Sequence, residues 1–420
     1  MTSRSVNWDN PCPRVSDSPP DLNEIGRAGG RQKDMAAAAA SLLPTLQARA
    51  SESDELTKLL HATIVDLEEA RLFDMLVPMQ YGGIQCSLPS YFEATMELGR
   101  GDGSVAWTVA LLSASTWMMT TFFPEHVLDE VFSGGKFRTA GVLAPQKVKT
   151  RRIDGGIMIE EGSWSFNTGV YHAHWDLLGV PIVDEAGQSI GNASALVPVS
   201  QIALSHDWDA IGLRATGSTS VTAKDVFVPN ERIVPLSRVL SEDYASAHLR
   251  HEPLYRLPLV PFLATNLVFP TLGMAKTALE LFLKKARHRS IPYTFYQKQD
   301  EAAVTHLRAG EASAKIEAAE LMLRHSMEML ESAASSNVKM TTAQRAHIWR
   351  NAGAANRLIW EAVDLLAWAS GASFVHDKNA MSRIWRDVRV ASLHGGLNPD
   401  TTMEIFGAAL LGKRPNSSLV

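Results

Sequence analysis

The 420-residue sequence contains only two cysteines, Cys12 and Cys86, and neither belongs to a CxxC pair. This low count excludes the disulfide framework of small secreted domains and leaves no cysteine pair to hold a metal. The chain also lacks the apolar segment of a signal peptide. These absences favour a reducing compartment, and we expect a cytoplasmic protein.

The 40 basic residues nearly balance the 45 acidic ones, and no Lys/Arg-rich run stands out. Binding to a phosphate backbone needs a concentrated basic patch, so nucleic acid is not an expected partner. The stretch from Val105 to Phe123 has no charge and approaches the length that crosses a bilayer. Since six of its residues are Ser or Thr and no basic cluster flanks it, we expect a buried core helix and no membrane association.

The motifs of several large enzyme classes are absent from the sequence. No GxGxxG motif follows a strand, and no GxxxxGK[ST], HExxH or GxSxG motif occurs, which excludes Rossmann, P-loop, zinc protease and α/β-hydrolase chemistry. His172 and His174 would lie on one side of a strand, as two metal ligands do. Because no third ligand is near them, we expect ordinary strand or loop histidines and no bound metal.

The hydrophobic pattern divides the chain into four regions. Residues 1–33 are rich in Pro and Gly and lack periodicity, so we expect a flexible leader. Residues 34–137 predict an N-terminal helical domain, residues 138–235 predict a middle β-domain, and residues 236–420 predict a C-terminal antiparallel helical bundle. The expected fold class is therefore α+β, mainly α.

Alternation and turn residues predict individual strands in the β-domain, and a period of 3.6 predicts buried helix faces beyond it. The predicted strands are Ile157–Phe166, Leu177–Val183, Ala195–Val199 and Ser220–Val228. The predicted buried faces consist of Ile316, Leu323, Met327, Leu330 and Ala334 on one helix and Ile348, Ala352, Ala355, Ile359 and Leu366 on the next.

Five segments, in this order, resemble the acyl-CoA dehydrogenase superfamily over nearly the whole chain from Asp34 onward. They are LVPMQYGG at 76–83, GSVAW at 103–107, WSFNTG at 164–169, WDAIGLRATG at 208–217, and Arg386-Asp387. The resemblance implies that fold, in which the middle domain is a β-barrel or sandwich and the C-terminal domain is a four-helix bundle. It also implies a flavin between the β-domain and the C-terminal bundle, and assembly as a homotetramer in which a neighbouring subunit completes the flavin site.

The triplet His394-Gly395-Gly396 departs from the acyl-CoA dehydrogenases in this resemblance. Many of them have Tyr-Glu-Gly here, and the Glu removes the α-proton of the substrate. Because Gly395 has no side chain, a dehydrogenase that uses this base is excluded, and an acyl-CoA dehydrogenase or oxidase with a relocated base remains as an alternative.

The segment from His394 to Gly412 instead resembles the two-component (group D) flavin monooxygenases of the same fold. This resemblance implies that a separate NAD(P)H:flavin reductase supplies reduced flavin, either FMNH2 or FADH2. Reduced flavin and O2 then form a C4a-hydroperoxide that hydroxylates or epoxidises a small aromatic or heteroaromatic substrate. An N- or S-oxygenase of this family and a flavin-free scaffold with the same fold are further alternatives.

Two residues are the catalytic candidates that the resemblance implies. His394 titrates near neutral pH and can donate a hydrogen bond to a peroxide, which would limit early loss of hydrogen peroxide. Thr168 aligns with the hydroxyl residue that approaches flavin N5 in the relatives. The alternatives are a structural histidine at a helix end and an ordinary threonine at a strand end.

Aromatic and basic residues are the candidates for binding. Trp164 and Phe166 are expected to contact the flavin ring, and Trp107 the substrate, with core packing as the alternative for each tryptophan. Arg287 and Arg289 end a predicted helix where the family binds the flavin phosphate. A macrodipole interaction at that helix end would equally explain two cations.

Two further positions complete the predicted site. Asn398 lies in the loop after His394 and is expected to contact the cofactor. Ser115 stands two helical turns after Trp107, where phenol-hydroxylating relatives have a histidine that accepts the phenol proton. Because serine is a poor base, this position disfavours phenols and leaves indole-like rings, sulfur or amines as substrates.

Overall fold

The computed structural model describes residues 34–135, 137–184 and 186–420, so the predicted leader at residues 1–33 lies outside the described residues. Five helices precede the strands: α1 Met35–Leu56, α2 His61–Glu69, α3 Leu88–Gly101, α4 Gly103–Phe122 and α5 Glu125–Ser133. Seven follow them: α6 Leu236–Leu240, α7 Leu259–Asn266, α8 Phe269–Ala286, α9 Ala303–Ser336, α10 Thr342–Trp368, α11 Ala380–Ser392 and α12 Pro399–Leu410.

Eight strands lie between these helices in the described residues. They are β1 Thr139–Val142, β2 Lys147–Ile153, β3 Gly156–Trp164, β4 Trp175–Val183, β5 Ser189–Pro198, β6 Ala203–Leu204, β7 Val221–Pro229 and β8 Ile233–Pro235. They form two open sheets, in the orders β1-β4-β5-β8 and β2-β3-β7-β6, with β1 parallel to β4 and the other pairs antiparallel. Of the two expected arrangements the barrel is wrong, because each sheet ends in an unpaired edge strand.

Local side-chain contacts explain where the main helices begin. Asp34 accepts a hydrogen bond from Ala37 N at the start of α1, and Asp102 accepts one from Val105 N at the start of α4. Thr341 and Gln344 form a capping box that begins α10. Each cap satisfies an amide that has no partner inside the helix.

Helix α4 is the core helix around which the site is built. Nearly all of its residues are buried, which confirms the prediction of a core helix. Length and composition alone would let α4 and the segment Leu259–Ala286 cross a membrane, but 94% and 83% of these windows are buried inside the protein. Strand β1 lies along α4, since Thr139 N donates a hydrogen bond to Thr116 Oγ1.

Helices α3 and α8 contact each other through their backbones. A Cβ added to Gly273 would lie 1.9 Å from Met96 O, and one added to Gly99 would lie 2.2 Å from Pro270 O. Such distances are far below van der Waals contact, so only glycine permits this approach. The two glycines thereby fix the position of the C-terminal helices against the N-terminal ones.

We expect Gly273→Ala to lower the stability by at least about 2 kcal/mol, because the helices must separate to admit one methyl group. Gly310→Ala is the matched control, since Gly310 lies in α9 and a Cβ there meets no atom within 4 Å. The control is expected to gain up to about 1 kcal/mol from helix propensity. Thermal unfolding of both variants tests this, and equal melting temperatures would contradict the packing.

The WDAIGLRATG segment binds directly to α11. A Cβ on Gly212 would lie 2.2 Å from Arg386 O, and Leu213 N donates a hydrogen bond of 2.6 Å to Asp387 Oδ1. Arg386 in turn donates to Ile211 O at 2.9 Å. Two segments that are distant in sequence, 208–217 and 386–387, therefore form one contact that joins the β region to the last helices.

Candidate active site

His394 lies in a short loop that several hydrogen bonds hold in place between α11 and α12. Its backbone N–H donates to Ala391 O, and Leu397 N donates back to His394 O at 2.8 Å. Trp349 Nε1 on α10 donates to Gly396 O at 2.7 Å. These contacts with a buried helix fix the loop, so the imidazole has a defined position.

One tautomer of the His394 ring is selected by the loop. Gly396 N donates to Nδ1 at 3.1 Å, so Nδ1 accepts and the neutral ring carries its proton on Nε2. Burial lowers the pKa of His394 and favours this neutral form. The side chain still has an open face, so Nε2–H is a donor available to a bound molecule.

Trp107 on α4 contacts His394 edge to face, with 6.1 Å between ring centroids. The next residues of α4 contact the turn that carries Thr168, because a Cβ on Gly169 would lie 2.9 Å from Leu112 Cγ and 3.1 Å from Thr108 Cγ2. Two turns of α4 thus bring the predicted residues His394, Trp107 and Thr168 into one region.

Thr168 begins a chain of three buried hydroxyl groups. Its Oγ1 lies 2.8 Å from Ser218 Oγ, which lies 2.7 Å from Thr216 Oγ1, and Thr216 donates to Leu213 O. The sequence reasoning missed Ser218, although it directly follows the WDAIGLRATG motif. Because Thr216 donates its proton to Leu213 O, Ser218 donates to Thr216 and Thr168 donates to Ser218, so Thr168 Oγ1 remains able to accept a hydrogen bond.

A buried polar pair supports the Thr168 turn from inside the β region. Asn167 Nδ2 donates to Asp176 Oδ2 at 2.5 Å, and both side chains are fully buried. Burial raises the pKa of Asp176 to about 7, while the bond from Asn167 opposes that rise. Neither residue was a candidate from the sequence, because nothing in a short strand reveals a partner nine positions away.

The structure separates the two aromatic residues of WSFNTG. The indole of Trp164 is fully buried between the sheets and donates to Gly179 O at 2.8 Å. No face of that ring is left for a flavin, so this prediction is corrected and core packing explains Trp164. Phe166 has φ of +64°, is 71% exposed and contacts Trp208 edge to face at 6.0 Å.

The three polar candidates for flavin binding differ in how many of their hydrogen-bonding groups are already used inside the chain. Arg289 donates from one guanidinium nitrogen to Ser370 O, a carbonyl shortly after the end of α10, so one of its donors is used within the chain. Arg287 is exposed directly after α8 and forms no ion pair with the residues that the structure describes. Asn398 Oδ1 accepts from the amides of Asp400 and Thr401 and begins α12.

Ser115 is buried on the side of α4 that faces β1. A Cβ on Gly141 would lie 3.3 Å from Ser115 Oγ, so the hydroxyl contacts the strand. Burial lowers the pKa of His172 to about 4, so its ring is neutral at neutral pH. Across residues 34–135, 137–184 and 186–420, no group of three or more His, Cys, Asp or Glu side chains is placed to hold a metal.

Two buried carboxyl groups flank the start of α4. Asp387 accepts from Leu213 N, Asp102 accepts from Val105 N, and both side chains are less than a tenth exposed. Burial raises the pKa of both, and that of Asp387 rises to about 7 because the Asp102 carboxylate adds to the effect. Since each group is buried and accepts from a backbone amide, neither is open to a substrate.

We expect Asp387→Asn to change the pH dependence of stability. The folded-state pKa of Asp387 lies above the value of about 4 in an unfolded chain, so its contribution to stability falls as pH rises from about 4 to about 7. Asparagine still accepts from Leu213 N but cannot ionise. In urea unfolding, the free energy of unfolding of the variant should rise relative to that of the unmodified protein as pH rises, by up to about 1.4 kcal/mol per pH unit. A difference between the two proteins that stays constant across this window would contradict the assignment.

Comparison with known proteins places this fold and site in a family. The acyl-CoA dehydrogenase N-terminal domain model matches residues 31–126, and the acyl-CoA dehydrogenase C-terminal domain model matches residues 266–399. The two models together cover more than half of the sequence. The chain therefore belongs to the acyl-CoA dehydrogenase superfamily.

The named relatives identify the enzyme activity within this superfamily. The chain is 28% identical over 387 residues to the flavin-dependent monooxygenase, oxygenase subunit HsaA, of Mycobacterium tuberculosis, covering 91% of this chain and 97% of the relative. It is 25% identical to the oxygenase component of p-hydroxyphenylacetate 3-hydroxylase of Acinetobacter baumannii, covering 90% and 89%. It is a flavin-dependent monooxygenase and thus an oxidoreductase.

A solved structure agrees with this class. XiaF from Streptomyces, determined with FADH2 and glycerol, superimposes with a TM-score of 0.86 at 27% identity, over 93% of this chain and 98% of XiaF. The predicted acyl-CoA dehydrogenase fold and the predicted enzyme class are confirmed.

Proposed function

We propose that this chain is the oxygenase component of a two-component flavin monooxygenase that hydroxylates or epoxidises a small aromatic or heteroaromatic compound, with indole-like rings as the leading candidates. It takes reduced flavin, FMNH2 or FADH2, and O2 as co-substrates. The observation that carries the proposal is His394, whose Nε2–H is free to donate next to the ring of Trp107.

The residues of the site suit a flavin and an aromatic ring. Thr168 Oγ1, which donates its own proton to Ser218, offers an acceptor to a ring N–H, and exposed Arg287 offers a guanidinium to a phosphate. When bound, reduced flavin supplies the electrons that activate oxygen. We assign catalytic roles to His394 and Thr168, with Phe166, Arg287, Arg289 and Asn398 near the cofactor.

Each protein group then has a defined task. His394 donates a proton or hydrogen bond to the oxygen that is being transferred, and Thr168 holds a proton at the edge of the flavin ring. Trp107 and the apolar face of α4 stack on the substrate and exclude water, which limits loss of hydrogen peroxide. Ser115 lies deeper against β1 and bounds the substrate region.

A relocated acyl-CoA base finds no support in the site. The buried carboxyl groups Asp102 and Asp387 are bound to backbone amides, and the segment at 257–275 contains no acidic residue. A substrate near His394 would therefore meet an imidazole but no carboxylate from these elements. Oxygen transfer, rather than removal of an α-proton, fits this set of groups.

A separate NAD(P)H:flavin reductase is the expected protein partner, because the chain has no nicotinamide motif of its own. We also propose a homotetramer in the cytoplasm. Tyr293 and Phe295, which follow Arg287, are completely exposed in a single chain. Large exposed rings beside a phosphate-binding cation suit a contact in which a neighbouring subunit completes the flavin site.

The proposal is tested by mixing the protein with flavin, a flavin reductase, NADH and indole. We expect an oxygenated product that requires both proteins, and the same product when chemically reduced flavin replaces the reductase. Flavin alone should yield only hydrogen peroxide. Reduction of bound flavin by an acyl-CoA, without any reductase, would contradict the proposal.

A further inference from the structure

The elements around His394 and Trp107 meet at contacts that involve small or apolar side chains. Trp107 contacts His394, and a Cβ on Gly396 would lie 3.9 Å from Leu267 Cδ1 in the α7–α8 connection. On the other side of α4, Leu112 contacts Gly169 and Ser115 contacts Gly141 of β1. Helix α4 is therefore surrounded by four segments of chain.

These segments share one property with α4, since none of the five contains Asp, Glu, Lys or Arg. The uncharged runs are 103–123, 139–146, 162–175, 257–275 and 390–399. Other uncharged runs occur at 35–48, 75–92 and 186–206, but the five named here are the ones that meet at α4. The substrate region is thus built from apolar, hydroxyl, amide and imidazole groups.

Three of the cations that border these runs are bound elsewhere. Arg389 stacks on Trp360 at 4.6 Å and donates to Ser392 Oγ, and Lys276 Nζ lies 2.7 Å from Glu320. Arg138 binds Glu68 and the carbonyl of His172. In the part of the chain that the structure describes, burial alone lowers the pKa of His394, with no neighbouring charge contributing.

The carboxyl groups near the region offer no positive charge to an anion. Asp102 lies one turn before Trp107 on α4, and Asp387 lies two turns before His394 on α11. Both accept from backbone amides and are buried. An anionic substrate would lose its hydration without gaining a cation, at a cost of several kcal/mol.

We infer that this site selects aromatic substrates that carry no ionised group, and that it excludes arylacetates and other aromatic carboxylates. The inference rests on the proposed function and adds the class of substrate. Two relatives are named for carboxylated substrates, p-hydroxyphenylacetate 3-hydroxylase and indole-3-acetate monooxygenase, both of Acinetobacter baumannii. On this inference the present chain differs from both in substrate.

The test compares indole, indole-3-acetate and methyl indole-3-acetate, in which the ester has the size of the acid without its charge. Binding to the full chain is measured without turnover by calorimetry, with and without flavin. We expect indole and the ester to bind with similar affinity and the acid to bind at least roughly 100-fold more weakly at neutral pH. The affinity of the acid should recover as pH falls and its carboxyl group is protonated.

The possible outcomes distinguish exclusion by charge from exclusion by size, and they distinguish failure of this inference from failure of the proposed function. If the acid binds as well as the ester, or if both are excluded while indole binds, selection by charge is overturned. Turnover with reduced flavin is measured for the same compounds and for matched phenylacetate and methyl phenylacetate. Product from acids but not from neutral compounds overturns the inference alone, whereas no product from any aromatic overturns the proposed function as well.

A charged side chain introduced beside the His394 loop gives a second test. Leu267→Arg introduces a guanidinium beside the His394 loop, and Leu267→Met is the neutral control of similar volume. We expect the Arg variant, provided that its circular dichroism matches the control, to bind indole-3-acetate at least roughly ten-fold more tightly than the Met variant does. Equal affinities of the two variants for the acid would contradict the inference that the missing cation near the His394 loop excludes anionic substrates.

Discussion

His394→Ala should convert most oxygen consumption into free hydrogen peroxide. The variant loses the only ring donor that the loop presents next to Trp107, and removal of one preorganised donor from a dry site typically costs a factor of about 100 or more. We expect the ratio of oxygenated product to reduced flavin consumed to fall at least roughly ten-fold. Peroxide and product are measured in the same reaction.

His394→Gln is the informative control, since glutamine can present an N–H donor but cannot become an imidazolium ion. Partial rescue of product by Gln would indicate that hydrogen-bond donation, rather than proton transfer, is the main task of His394. The binding of indole should change little in either variant. Unchanged coupling in His394→Ala would remove the role that we assign to this residue.

Gly169→Ala should reduce kcat/KM at least roughly ten-fold by displacing the Thr168 hydroxyl. Gly169 has φ of +75°, which a residue with a Cβ adopts only with strain, and the added carbon would also meet Leu112 at 2.9 Å and Thr108 at 3.1 Å. The turn must move away from α4 to relieve these contacts. Thr168 would then leave its place beside Ser218.

The chain offers a control with the same backbone strain and no neighbours. Gly187 has φ of +76°, and a Cβ there meets no atom within 4 Å. Gly187→Ala should therefore cost about 1 kcal/mol of stability and leave kcat/KM unchanged. Equal loss of activity in both variants would mean that strain, not displacement of Thr168, explains the effect.

The sequence predicted the helices well because their buried faces repeat over many turns. Every residue of the predicted faces on α9 and α10 is buried, from Ile316 to Ala334 and from Ile348 to Leu366. The strands were harder. Strand β5 begins at Ser189, six residues before the predicted start, because its exposed first half carries no apolar alternation.

Strands β1 and β2 were missed for two different reasons. Residues 139–142 are buried against α4 and short, so they show no period of two. Residues 147–153 form an edge strand with four basic side chains, and this composition is typical of a loop. Edge strands are often charged in this way, and the pattern is visible only once the neighbouring strand is known.

Site residues that belong to a recognisable motif could be predicted from the sequence. Those that join the site only through a contact in the folded structure could not. His394, Trp107 and Thr168 follow from recognisable segments, and the structure brings them around α4. Trp164 lies in such a segment too, but a buried tryptophan cannot be distinguished by sequence from one that contacts a cofactor. Ser218 required knowledge of which hydroxyl group lies opposite Thr168.

The most direct test of oxygen transfer uses isotopically heavy O2. The protein is mixed with chemically reduced flavin and indole under the heavy gas, and the product is analysed by mass spectrometry. We predict one heavy oxygen atom in each product molecule and none when the protein is omitted. A product whose oxygen comes from water, or a desaturated acyl-CoA formed without O2, would contradict the assignment of this chain as a flavin-dependent oxygenase.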